Sequence, residues 1–113
     1  MSAPAARFAD VSAATYTFDA ALWWWKPDSS WVFLTVPPEH ADEILELTGD
    51  SPRGFGAVRV EVRIGATTWR TSVFPDDKRG SYVLPVKKGV RAAEGLEVGS
   101  LATVHLAVLP TGG

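Results

Sequence analysis

The sequence contains no cysteine, one methionine and only two histidines among its 113 residues. A disulfide, a thiolate nucleophile and a cysteine-ligated zinc site are therefore excluded. His40 and His105 have no second ligand at a metal-binding spacing, so we expect neither a metal site nor another cofactor. Phosphate-loop and dinucleotide-binding motifs are also missing, and no combination of residues predicts a catalytic centre.

Long hydrophobic runs are missing as well. The longest, from Ala20 to Trp25, is much shorter than the roughly 20 residues that a membrane helix requires. Residues 1–7 lack the basic start and the apolar core of a secretory signal. We therefore expect a cytoplasmic protein without a membrane partner.

The length of the chain predicts a single domain. We expect residues 15–109 to form this domain. Residues 1–14 are rich in alanine, serine and proline without a usable period, and we expect a mobile N-terminal tail there. Residues 110–113 would form a short C-terminal tail.

Basic residues are scarce in the first part of the chain and acidic residues in the next part. Residues 1–50 carry two basic and eight acidic side chains, for a net charge of −6, whereas residues 51–91 carry nine basic and three acidic ones, for +6. Two interpretations remain open: the basic part attracts an anionic partner, or an acidic helix neutralises it within the fold.

What the sequence does contain is a clear β-hairpin. Residues 58–64 and 67–74 alternate apolar and polar side chains, and Gly65-Ala66 joins them. A two-residue turn would pair Val62 with Trp69 on the core side, and Glu61 with Arg70 on a wetter side. Arg59 would lie opposite Ser72. Burial of Trp69 would remove about 200 Å² from water, and at about 25 cal/mol/Å² this burial alone could determine the register of the hairpin.

The rest of the chain predicts short strands and two helices. We expect strands at 15–23 and 31–36, joined as a hairpin, and further strands at 81–85 and 100–109. Pro37-Pro38 ends the second strand and starts a helix with Ala41, Ile44, Leu45 and Thr48 on one face. Residues 86–94 form two turns of helix, ended by Gly95. This order, β-β-α-β-β-β-α-β, predicts a mainly β barrel or sandwich of about six strands, capped by two helices.

Four motifs in the chain resemble one known family. They are Phe18-x-Ala20-x-Leu22, Trp31-x-Phe33-x-x-Val36-Pro37, Trp69-Arg70-Thr71-Ser72-x-Phe74-Pro75 and Tyr82-x-Leu84-Pro85-Val86-Lys87-Lys88-x-Val90-Arg91. Between Tyr16 and Val108 the chain is similar to the bacterial domain-of-unknown-function family DUF1905. The resemblance implies a double-split β-barrel, a fold whose better-known members are dimeric DNA-binding domains of transcription factors and antitoxins. It implies no activity, because a shared fold does not establish a shared site.

A basic cluster is the first candidate site. Lys87 and Lys88 begin the second predicted helix, where positive charge is unfavourable unless an anion binds. Lys78, Arg79 and Arg91 could converge on the same place. The alternative is a solvated basic patch without a ligand.

The second candidate is the run Trp23-Trp24-Trp25. Alternate side chains of a strand point to opposite sides, so at least one indole must be exposed. The run either closes one end of the barrel, or forms a ligand-binding wall or a contact between two copies of the chain.

The sequence favours a non-enzymatic binding module in which the basic hairpin and the start of the second helix contact an anionic small molecule or protein. Nucleic-acid binding through the same surface is the second hypothesis, and the net negative charge weighs against it. A third hypothesis is an enzyme with Arg70, Ser72 and Lys87 around a pocket at the barrel end, with Arg59 on the same polar face. The composition also allows a homodimer.

Overall fold

The computed structural model describes residues 14–26, 31–48, 56–76 and 78–109. The predicted tails lie outside these ranges apart from Ala14, whose carbonyl accepts a hydrogen bond from the Val108 N–H at 2.9 Å. The described elements are β1 (Thr15–Ala21), β2 (Trp23–Trp24), β3 (Val32–Thr35), α1 (Pro38–Thr48), β4 (Val58–Ile64), β5 (Thr67–Asp76), β6 (Ser81–Pro85), α2 (Lys88–Glu94) and β7 (Leu101–Val108).

The strands form one antiparallel sheet in the order β1-β7-β4-β5-β6-β3-β2. β5 divides this sheet into two parts, because Thr67–Val73 pair with β4 and Phe74–Asp76 pair with β6. The edge strands β1 and β2 are consecutive in the chain, separated only by Leu22. The sheet is therefore curled into a half-barrel, and the fold is mainly β and barrel-like, as predicted.

The prediction of one strand over residues 15–23 is wrong, and the predicted hairpin with the next strand is present only at the end of this segment. β1 pairs with β7 through residues 15–21, and only Trp23 and Trp24 pair with β3. Leu22 is buried and exchanges backbone hydrogen bonds with Gly99 and Ser100. Because these bonds turn the chain from one sheet edge to the other, the described residues contain seven strands where six were expected.

The central hairpin has the predicted register. Val62 lies opposite Trp69, Glu61 opposite Arg70 and Arg59 opposite Ser72. Trp69 is 9% exposed, and the valines of β4 are buried around it. Burial of one face of the hairpin leaves the arginines on the other face, as the two-residue alternation requires.

Both helices pack against the core. Ala41 and Ile44 of α1 are buried, whereas Leu45, predicted on the same face, is 56% exposed. The prediction for Leu45 is wrong because each residue turns the helix by about 100°, so Leu45 points away from the side on which Ile44 is buried. In α2 the buried residue is Val90. β7 contributes the predicted inward row, Ala102, Val104, Leu106 and Val108.

Candidate functional site

A cavity of about 430 Å³, the basic cavity, lies between β5, the start of β3 and the turn from β6 into α2. Its lining includes Trp31, Trp69, Arg70, Lys87, Lys88 and Arg91. Trp69 is buried and forms part of the wall, whereas Trp31 is 59% exposed. The volume is within the range of about 300–1,000 Å³ typical of small-molecule sites.

Local sequence determines where α2 begins and ends. Pro85 ends β6, and Lys87 is extended (φ −71°, ψ 160°) at the helix start without a side-chain cap. At the other end Gly95 adopts a left-handed conformation (φ 65°), which favours glycine because a β-carbon is disfavoured there.

Two hydrogen bonds connect α2 to its surroundings. The Thr67 hydroxyl, at the start of β5, donates to Glu94 Oε2 at 2.5 Å, so the end of α2 is fixed to the hairpin turn. Arg91 Nε donates to the Val86 carbonyl at 3.1 Å. As a result, the end of α2 is attached to the hairpin, and the Arg91 side chain is held against the turn that precedes the helix.

The basic cavity has an excess of positive charge. Arg70 forms an ion pair with Glu61, with Nε 3.1 Å from Oε1, and the Glu61 side chain is nearly buried. Within the described residues, the exposed ammonium groups of Lys87 and Lys88 contact no carboxylate. The ion pairs Arg70–Glu61 and Arg79–Asp76 both lie within residues 61–79, so neither of them involves the acidic helix.

The five predicted anion-binding residues do not converge. Lys87, Lys88 and Arg91 line the basic cavity, but Lys78 and Arg79 line a different one. The expectation of a single cluster was wrong because β6 separates the two groups, and five extended residues span about 16 Å.

This second cavity, the aromatic cavity, has a volume of about 590 Å³ and includes Trp23, Trp25 and Phe33 in its lining. The Arg79 guanidinium lies 3.9 Å from the ring centroid of Trp23 and binds Asp76 Oδ2 at 3.0 Å. The Lys26 ammonium lies 5.0 Å from the ring centroid of Trp25. The rings are thus already in contact with cations of the same chain.

The tryptophan run has the predicted exposure. Trp24 and Trp25 are 45% and 59% exposed. Trp23 is half-buried, and its indole N–H donates to the Thr35 hydroxyl at 2.9 Å. The role of the run as an interface stays a prediction.

Trp31 and Phe33 line the two cavities, although the sequence indicated only a strand and a family motif for them and no site. Their rings are nearly parallel, 13° apart, with centroids 6.1 Å apart, and Phe33 lies 5.2 Å from Trp23. We call Trp31, Phe33 and Trp23 the aromatic row. Residues 31–34 are all apolar, so no alternation of polarity indicated which side chains face outward; only the burial of Val32 and Leu34 reveals it.

The other candidate residues lie apart from both cavities. Arg59 Nη1 donates to the Ser72 hydroxyl at 3.4 Å on the exposed side of the hairpin, so Ser72 does not join Arg70 and Lys87. His105 lies opposite Arg63 and hydrogen-bonds Thr17 Oγ1 at 3.1 Å. Burial and, secondarily, the Arg63 guanidinium lower the pKa of His105.

His40 contacts the rings of Tyr16 and Phe18, with centroid distances of 4.9 and 5.9 Å. Burial and the nearby Glu43 carboxylate raise the pKa of Tyr16. In the part of the chain that the structure describes, no three potential metal ligands cluster together. No helix there is long and apolar enough to cross a membrane.

The curled seven-stranded sheet with two helices defines a small, barrel-like β protein, with two cavities beside strand β3. The chain belongs to the family described as "Domain of unknown function (DUF1905)", whose model matches residues 18–106. The predicted family is therefore confirmed. A comparison with curated proteins gave no match.

Proposed function

We propose that this protein is a non-enzymatic binding module whose basic cavity accepts an anionic group, carried by a small molecule or by a partner protein. The observation that supports this proposal is the meeting of four cations, Arg70, Lys87, Lys88 and Arg91, around one cavity. These residues come from the hairpin and from the second helix, the two basic segments that the sequence analysis singled out.

The energetics favour an anion at this place. Cations held close together repel one another. Arg70 is paired with Glu61, whereas within the described residues Lys87 and Lys88 contact no carboxylate. An anion that bridges Lys87 and Lys88 would remove the repulsion and form charge-assisted hydrogen bonds. The exposed indole of Trp31 at the rim offers an apolar surface for the remainder of a small molecule.

The enzymatic hypothesis required Arg70, Ser72 and Lys87 to be buried together. Arg70 and Lys87 are exposed, and Ser72 contacts Arg59 instead. Binding without chemistry is therefore the function that the geometry supports best.

A thermal-shift experiment tests the proposal. Inorganic phosphate and a panel of anionic metabolites are added at constant ionic strength, and a ligand that binds only the folded state raises Tm with concentration. The double variant Lys87→Ala/Lys88→Ala should lose this rise. The matched control Lys78→Ala removes a cation from the aromatic cavity and should retain it. Equal rises in all three proteins would refute the basic cavity as the site.

A further inference from the structure

The outer surface of β3 and its neighbours connects the two cavities. Trp31 lines the basic cavity, Phe33 and Trp23 line the aromatic cavity, and the three rings follow one another without interruption. The row ends at Trp23 in contact with the Arg79 guanidinium. A continuous aromatic surface thus extends from one group of cations to another.

Burial shows that this surface is not part of the core. Val32 and Leu34 are at most 1% exposed and face inward, so Trp31 and Phe33 face outward by alternation. Trp25 and Phe74, 59% and 43% exposed, lie on neighbouring segments. Large exposed apolar patches mark interaction sites on soluble proteins.

We propose that the aromatic row is a stacking platform for a single-stranded nucleic acid, whose phosphates contact the cations at both ends. Unpaired bases present flat faces that stack on aromatic side chains, and flanking lysines and arginines neutralise the backbone. A duplex hides these faces, so the row does not suit it. Among the acids of α1, Glu43 lies beside Tyr16 of β1, in the part of the sheet that does not carry the row.

A second copy of the chain fits this surface less well. Lys87, Lys88 and Arg91 lie at one end of the row, and Lys78 and Arg79 lie at the other. In either orientation, a copy stacked face to face would bring cations against cations. Asp76, the carboxylate beside the aromatic cavity, is already paired with Arg79.

The experiment measures fluorescence anisotropy of a labelled oligothymidylate of about 12 nucleotides at low salt. We expect saturable binding that weakens by orders of magnitude between about 50 and 200 mM salt. A blunt duplex of the same length should bind at least about tenfold more weakly, because its bases are already stacked.

Variants locate the site. Trp31→Ala should weaken binding by about tenfold or more, and Trp31→Phe, which keeps a stacking ring, should restore most of it. Arg79→Ala should weaken binding and reduce the salt dependence. Arg59→Ala is the matched control, since Arg59 is an exposed cation on the other part of the sheet and should leave the affinity unchanged.

Three results would overturn the inference. One is no binding of the single strand at about 50 mM salt, where the phosphate contribution is strongest. Another is equal affinity for single strand and duplex. The third is a change in sedimentation of the free protein in Trp31→Ala without a change in oligonucleotide affinity, which would assign the row to self-association. Both proposals use Lys87 and Lys88, but the phosphate experiment tests these two lysines and the oligonucleotide experiment tests Trp31 and Arg79, so either proposal can fail alone.

Discussion

The outer surfaces of the two parts of the sheet differ sharply in chemistry. On β1, β7, β4 and the first part of β5 the outward side chains form cross-strand pairs: Thr103 with Asp19, Thr17 with His105, Arg70 with Glu61 and Arg59 with Ser72. On β2, β3, β6 and the end of β5 they are mainly apolar, with Trp23, Phe33 and Phe74 among them.

This difference indicates that the two outer surfaces have different roles. The polar part satisfies its own hydrogen bonds and needs only water, as expected for a solvated face of an antiparallel sheet. The aromatic part leaves large rings exposed to water, and this exposure does not stabilise the folded protein. The inward side chains of both parts form one continuous core, which includes Val32 and Leu34 of β3, so the exposed rings on the outer side are not needed to complete it. The outer side of the aromatic part and its basic edge are therefore available for binding.

The largest expected effect comes from comparing two tryptophans. Trp69→Ala, in the polar part, should lower the free energy of unfolding by about 3–5 kcal/mol, because it leaves a cavity in the core. Trp31→Ala, in the aromatic part, should change it by about 0.5 kcal/mol, since its ring is mostly in solvent. Urea denaturation measures both, and similar losses would mean that the aromatic row is structural.

The turns of the two parts provide the second comparison. Gly65 and Gly80 both have positive φ, 60° and 62°, so alanine at either position should cost about 1–2 kcal/mol. At Gly65 a β-carbon would also collide with the Glu94 carboxylate, whereas nothing lies near Gly80. Displacing Glu94 breaks its hydrogen bond with Thr67, so Gly65→Ala should be worse by about 1 kcal/mol. Equal Tm values for the two variants would contradict this.

The two ion pairs give a smaller effect. Arg70→Ala leaves the nearly buried Glu61 without its guanidinium and should cost about 1–2 kcal/mol. Arg79→Ala leaves the more accessible Asp76 and should cost about 1 kcal/mol or less. Chemical denaturation in low and high salt would measure the loss of stability in each variant. A larger loss for Arg79→Ala would mean that the Arg79–Asp76 pair, and not the Arg70–Glu61 pair, contributes more to the fold.

The smallest effect concerns pH and the polar part alone. Because the pKa of His105 is lowered in the folded protein, the unfolded chain binds more protons below its ordinary value of 6.5. The free energy of unfolding should therefore decrease as pH falls from 6.5 toward the folded pKa, with no contribution above 6.5. His105→Gln should flatten the Tm profile between about pH 7 and 5. An unchanged slope of Tm against pH in His105→Gln would show that groups other than His105 cause the pH dependence.

The hairpin and its charges were predictable because they depend on neighbours in sequence. Alternation places Val62 and Trp69 on one side and Arg59 and Arg70 on the other, and a two-residue turn leaves only one register. Pro38 and Gly95 likewise mark the start of α1 and the end of α2 through local backbone preferences.

The sequence by itself therefore determined the family, the β class, the central hairpin and the separation of charge. Only the tertiary structure decided which cations meet, because Lys78 and Lys87 are close in sequence yet lie at opposite ends of an extended strand. Only it revealed the aromatic row, since an uninterrupted apolar segment can face either way until packing buries one side. Local preferences operate along the chain, whereas a site forms where distant segments are brought together.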